Sequence, residues 1–103
     1  MVTYDIYILK VFVKIGDKGI SLGNLARSVY NLSRTFFFTP NYEDVYRHVQ
    51  QYVLKNSKTP SSPVERMGQR GYYRLNKKSK AAEQLMLEFG IEGDTDDDDN
   101  LNL

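Results

Sequence analysis

Asn41-Tyr42-Glu43-Asp44-Val45-Tyr46-Arg47-His48-Val49-Gln50-Gln51-Tyr52-Val53-Leu54-Lys55 carries the strongest pattern in the chain. Tyr42, Val45, Val49, Tyr52 and Val53 recur at helical spacing on one side, while Glu43, Asp44, Arg47, Gln51 and Lys55 fall on the other. The spacing predicts a helix with one side that packs and one that is free to meet a partner. Thr39-Pro40-Asn41 supplies its start: a side-chain oxygen that can cap an open N–H, and a proline whose missing N–H costs nothing in a first turn. The helix is expected to begin within a residue or two of Pro40.

Toward the N-terminus, Thr3, Tyr7, Lys10 and Lys14 recur at four-three-four spacing and leave Ile6, Ile8, Leu9, Phe12, Val13 and Ile15 as a broad apolar face. This predicts a helix over 3–15 despite its strand-favouring residues, because alternation fails at Ile8-Leu9 and at Val11-Phe12-Val13. Gly16 is expected to end it in a left-handed conformation, and Asp17-Lys18-Gly19 reads as a turn. After the single apolar Ile20, Ser21 can cap a second helix whose stripe is Leu22, Leu25, Ala26, Val29 and Leu32. Gly23 near its start suggests a close approach to a neighbouring backbone. Three successive phenylalanines, Phe36 to Phe38, cannot all face inward, so one is expected to be exposed or to seal a partner surface; as a group they read as core and helix-packing residues.

Toward the C-terminus, the polar stretch 56–63 with Pro60 and Pro63 breaks any helix. Val64-Glu65-Arg66-Met67 and Tyr72-Tyr73-Arg74-Leu75 flank Gly68-Gln69-Arg70-Gly71, a predicted β-hairpin whose glycines supply positive φ and whose Val64, Tyr73 and Leu75 face inward. Ser79 can cap a last helix with Ala82, Leu85, Met86 and Phe89 as its stripe and Gly90 as its stop. The expected fold class is α+β: mainly helical, with a three-helix core, a small β-hairpin and a C-terminal helix.

At 103 residues the chain has room for one domain, expected over 1–90, and with no cysteine its core must hold by packing alone. All 14 Lys and Arg lie in residues 1–90 against 7 acids, a balance of +7, while residues 91–103 carry six acids and no base. A basic body with an acidic tail points to a polyanionic partner; the tail has too little apolar surface to order itself and is expected to compete for the same basic face. No apolar run is long enough to span a membrane and no export signal stands at the N-terminus, so a cytoplasmic protein with no membrane partner is expected. Enzymatic chemistry lacks its residues. There is no glycine-rich phosphate loop, no nucleophile elbow and only one histidine, His48, which borders the apolar stripe; no catalytic residue, metal or cofactor is expected.

The order helix, short extended residue, helix, helix, two-stranded hairpin resembles the winged-helix (winged helix-turn-helix) domain over about residues 3–76. In outline it is similar to small modules of the restriction-endonuclease-associated helix-turn-helix kind, and Arg70-Gly71-Tyr72-Tyr73-Arg74-Leu75 resembles the family's wing. The resemblance implies that residues 41–55 lie in the major groove of double-stranded DNA, with Arg47 and Gln51 reading base edges. Lys55, Arg66, Arg70 and Arg74 would contact phosphates, joined by Lys77, Lys78 and Lys80 if the last helix starts near the duplex. Glu43 and Asp44 depart from this picture: they suit the helix dipole but would face phosphates unfavourably. The implied role is a transcription regulator or mobile-element accessory protein that acts by binding only. The alternative is an interaction adaptor without DNA binding that uses Phe36 to Phe38 or the exposed tyrosines to dock on another protein; a dimer built through the first or the last helix is compatible with either.

Overall fold

The computed structural model describes residues 4–35 and 37–91. Thr3, Phe36 and the acidic tail beyond Ile91, each the subject of an expectation above, lie outside the described residues. Along the chain run α1 (Tyr4–Ile15), a short 3-10 turn (Gly16–Lys18), β1 (Ile20–Ser21), α2 (Leu22–Ser33), α3 (Tyr42–Lys55), β2 (Val64–Arg66), β3 (Tyr72–Leu75) and α4 (Lys80–Phe89).

α2, α3 and α4 each start where a short polar side chain can take an open N–H. Ser21 accepts from the Asn24 amide, Asn41 from the Asp44 amide and Ser79 from the Ala82 amide. Asn41 is thus the cap of α3, and Pro40 sits one residue before the cap, buried, instead of inside the first turn. Gly90 ends α4 in the left-handed region at φ 70° and Gly16 follows α1 at the same φ, because only glycine adopts it without strain.

The core forms where α1, α2 and α3 pack together. Ile8, Val11 and Phe12 of α1, Leu25, Ala26 and Val29 of α2, and Val45, Val49 and Val53 of α3 are all buried. On α3 the valines recur every four residues, so one narrow stripe meets the other two helices. On α1 the buried set is shifted from the expected face: Val11 is inside, while Ile6, Val13 and Ile15 are half-buried. On this side α1 packs against β3 as well as against α2 and α3.

The expected two-stranded hairpin is part of a three-stranded antiparallel sheet, ordered β1-β3-β2. Ile20 pairs with Tyr73 and Ser21 with Tyr72, so the residues just before α2 are the third strand. Val64 and Tyr73 face inward as expected, and Leu75 is half-buried. Among the hairpin glycines Gly71 has positive φ, at 80°, while Gly68 does not. The close approach expected at Gly23 occurs instead at Gly19, where a Cβ would collide with the Met67 sulfur and come within 3.1 Å of the Tyr73 carbonyl oxygen; nothing lies within 4 Å of one built at Gly23.

The base of the hairpin is fixed by Asn76, which is 5% exposed. Its side-chain N–H groups donate to the Pro60 and Ser62 carbonyls, both at 2.9 Å, and its oxygen accepts from the Lys78 amide. The Ser79 hydroxyl donates to the Ser61 carbonyl at 2.7 Å. These bonds tie loop 60–63 to the β3–α4 junction.

Candidate functional site

Three groups of candidate side chains result from this arrangement. The first is the outer stripe of α3. With three valines inward, a rotation of 100° per residue sets Asp44, Arg47, Gln51 and Leu54 opposite them, and all four are exposed. Arg47 donates to Asp44 at 3.3 Å, an exposed ion pair that holds its guanidinium over the start of the helix. Arg47 and Gln51 thus lie nearest the centre of the outer stripe, each about 20° from it, whereas Gln50 lies about 80° away.

Gln51 and Lys55 turn toward α4. Together with Asp5, His48, Tyr52, Asn56, Leu85 and Phe89 they line a depression of about 350 Å³ between α1, α3 and α4. His48 Nε2 lies 2.6 Å from Asp5 Oδ1, and the Tyr4 ring stands edge-on to the imidazole at 5.3 Å. Nearby the Tyr52 hydroxyl is buried and has no hydrogen-bond partner among the described residues. Burial first, and the negative charge of Asp5 second, push Tyr52 up from the ordinary 10.0 to about 12.

The third group is the hairpin. Met67 donates its amide to the Tyr72 carbonyl, and the four residues between them form an exposed tip. Arg66 and Arg70 come together here, on a shallow depression of about 340 Å³ shared with Met67, Gly71, Tyr72 and Tyr73. Both are exposed, and among the described residues neither has an acidic partner. The tip is also braced: the Leu22 amide at the start of α2 donates to the Gly71 carbonyl at 3.0 Å.

Arg74 belongs to none of these groups. Glu65 is its direct cross-strand neighbour, and its Nε donates to the Glu65 carboxylate at 2.6 Å. Its Nη1 reaches the Asp17 carbonyl at 3.2 Å, so the guanidinium fastens the hairpin to the turn after α1. Lys77 is paired with Asp17 at 3.3 Å. Of the six residues singled out in the sequence, Arg74 is therefore the one least available to an outside anion.

The phenylalanine turn between α2 and α3 differs from its expected role. Phe37 is 92% exposed and Phe38 47% exposed, so neither is a core residue. Among the described residues no set of three or more His, Cys, Asp or Glu side chains is placed to hold a metal ion, and no helix is long and apolar enough to cross a membrane. No family model matches this chain, and comparison with curated proteins and with solved structures likewise returns no match.

Proposed function

We propose that this protein is a winged-helix module that binds double-stranded DNA and acts by binding alone, as a transcription regulator or an accessory protein of a mobile element. The observation that carries the reading is the hairpin tip, where Arg66 and Arg70 line one exposed surface and no acid among the described residues engages either. The order of elements supports it, since a third helix followed by a basic hairpin is how winged helices meet the major groove and the adjacent backbone. Arg47 and Gln51 on the outer stripe of α3 carry the donors that suit guanine and adenine edges, and Leu54 offers an apolar contact for a thymine methyl. Lys55 stands at the edge of that surface, and Arg74 acts on it through the hairpin's position.

A salt titration against random-sequence duplex DNA tests this. The logarithm of affinity is expected to fall linearly with the logarithm of salt, with a slope of about −0.9 per phosphate neutralised. Replacing Arg66 and Arg70 by alanine should make that slope shallower by about 2. Undetectable binding at low salt overturns the reading. In that case the interaction adaptor stands, which the exposure of Phe37 and Phe38 favours.

A further inference from the structure

We propose that the depression between α1, α3 and α4 binds one nucleotide, with the base at its Asp5 end and the phosphate on Lys55. Asp5, Tyr52 and Lys55 give it charged and hydrogen-bonding groups, Leu85 and Phe89 of α4 give it an apolar wall, and its volume is about 350 Å³. Small-molecule sites have this character: a few polar groups converging on an apolar surface in a cavity of a few hundred cubic ångströms. The Tyr52 hydroxyl is the group that calls for a ligand. It is buried and has no hydrogen-bond partner among the described residues, which costs stability in the free chain. The charge of Asp5 is felt at this hydroxyl, yet the two groups are not bonded to each other. Asp5 Oδ1 stands 2.6 Å from His48 Nε2, and a carboxylate keeps further lone pairs for a second donor. A hydroxyl free to donate, near a carboxylate that only accepts, matches an edge on which an acceptor stands beside an N–H. The Watson–Crick edge of every base carries such a pair.

Spacing along α3 sets the other end. His48, which holds Asp5, and Lys55 are separated by about 10 Å along the helix axis, at a rise of about 1.5 Å per residue. An accepting group and a cation that far apart suit a nucleotide, whose base edge and phosphate lie at opposite ends of the molecule; a free amino acid is too short to reach both. Lys55 is exposed and has no ion-pair partner among the described residues. A separation of about 10 Å is also a Debye length at 0.1 M salt, so Asp5 does little to repel a phosphate at Lys55. Phe89, half-buried on the α4 wall, offers a ring on which a base can stack. Gln51 and Lys55 also serve the proposed DNA surface, so a bound nucleotide and a duplex would compete there. The nucleotide site itself does not rest on that reading, and its test contains no duplex.

The experiment is an amide NMR titration of the full chain with AMP and GMP, using adenosine, guanosine and ribose 5-phosphate as truncated probes. At least one mononucleotide should give saturable shifts at the amides of 48–56 and 85–89, while its nucleoside and ribose 5-phosphate each bind at least about tenfold more weakly. Lys55→Gln should lower the affinity for the mononucleotide to that of its nucleoside and leave the nucleoside unaffected. Tyr52→Phe should bind the mononucleotide several-fold more weakly although it is the more stable protein, a combination that a purely structural role for the hydroxyl does not give. The absence of saturable shifts in this region with both mononucleotides overturns the proposal. So does ribose 5-phosphate binding as tightly as a mononucleotide, or binding indifferent to both substitutions. A single-stranded pentanucleotide that shifts the same amides at lower concentration than a mononucleotide would identify the occupant as part of a strand; one that binds no better would identify it as a free nucleotide.

Discussion

Asn76 shows how much of this small protein hangs on single polar residues. It supplies both donors for the carbonyls of Pro60 and Ser62 inside the loop that closes the hairpin. Asn76→Ala strips both carbonyls of their side-chain donor and should cost about 1–2 kcal/mol, read as a lower denaturant midpoint at constant slope. Tyr52 is the opposite case, a buried hydroxyl that has no partner among the described residues. Tyr52→Phe removes the unpaired group and should raise stability at neutral pH by about 1 kcal/mol. The same residue sets a pH dependence. Its folded-state value of about 12 exceeds the unfolded 10.0, so its stabilising contribution is complete below pH 10 and is lost as pH rises toward 12. The melting temperature should fall across that window in the wild type, and fall less in Tyr52→Phe.

At the scale of elements, the three core helices and α4 are held differently. The three helices share a continuous buried cluster, whereas α4 contributes only Ala82 as a buried apolar residue, with Leu85, Met86 and Phe89 half-covered. Its attachment depends heavily on Ser79, which caps the Ala82 amide and also bonds the Ser61 carbonyl. Ser79→Ala should cost about 1–2 kcal/mol. Hydrogen exchange should place that loss in α4, whose amides speed up while those of α2 and α3 keep their protection. Uniform acceleration across all the helices would instead make α4 part of one cooperative unit with them. The distinction matters for function, because α4 covers the depression that holds Gln51 and Lys55. A loosened α4 changes access to those two side chains and leaves Arg47 and the hairpin tip untouched.

For the whole molecule, charge is the controlling property. Residues 1–90 carry +7 and residues 91–103 carry −6, an asymmetry that on the proposed reading would set the acidic segment against a polyanion at low salt. If the chain binds DNA as proposed, replacing Asp96, Asp97, Asp98 and Asp99 by asparagine should tighten binding several-fold at low salt. The gain should vanish near 1 M salt, where screening reaches about 3 Å. Equal affinities at low salt would show that the segment does not compete. Among the described residues Arg47 sits on the outer stripe of α3, Arg66 and Arg70 on the hairpin tip, and Lys55 beside α4. A duplex would have to bridge α3 and the hairpin, which makes the salt slope a direct count of how many of these groups engage.

The sequence by itself determined the extents of the helices, because helical period, caps and stops act within three or four residues. Ser21, Asn41 and Ser79 each bond an amide three residues on, and Gly90 ends α4 through its own φ. It also determined which valines of α3 face inward, since that is fixed by the period. Tertiary structure alone decided the pairing of β1 with β3, the capture of Arg74 by Glu65 and the Asp17 carbonyl, the contact of Asp5 with His48, and the lock around Asn76. Most of these partners lie far apart along the chain: 43 residues separate His48 from Asp5, and 57 separate Arg74 from Asp17. No local pattern records such a meeting, so a cation that reads as a phosphate ligand in the sequence can be a structural fastener in the fold. The exposure of Phe37 was open in the sequence for the same reason: three successive rings fix that some must face out, and only the packing of α2 against α3 fixes which.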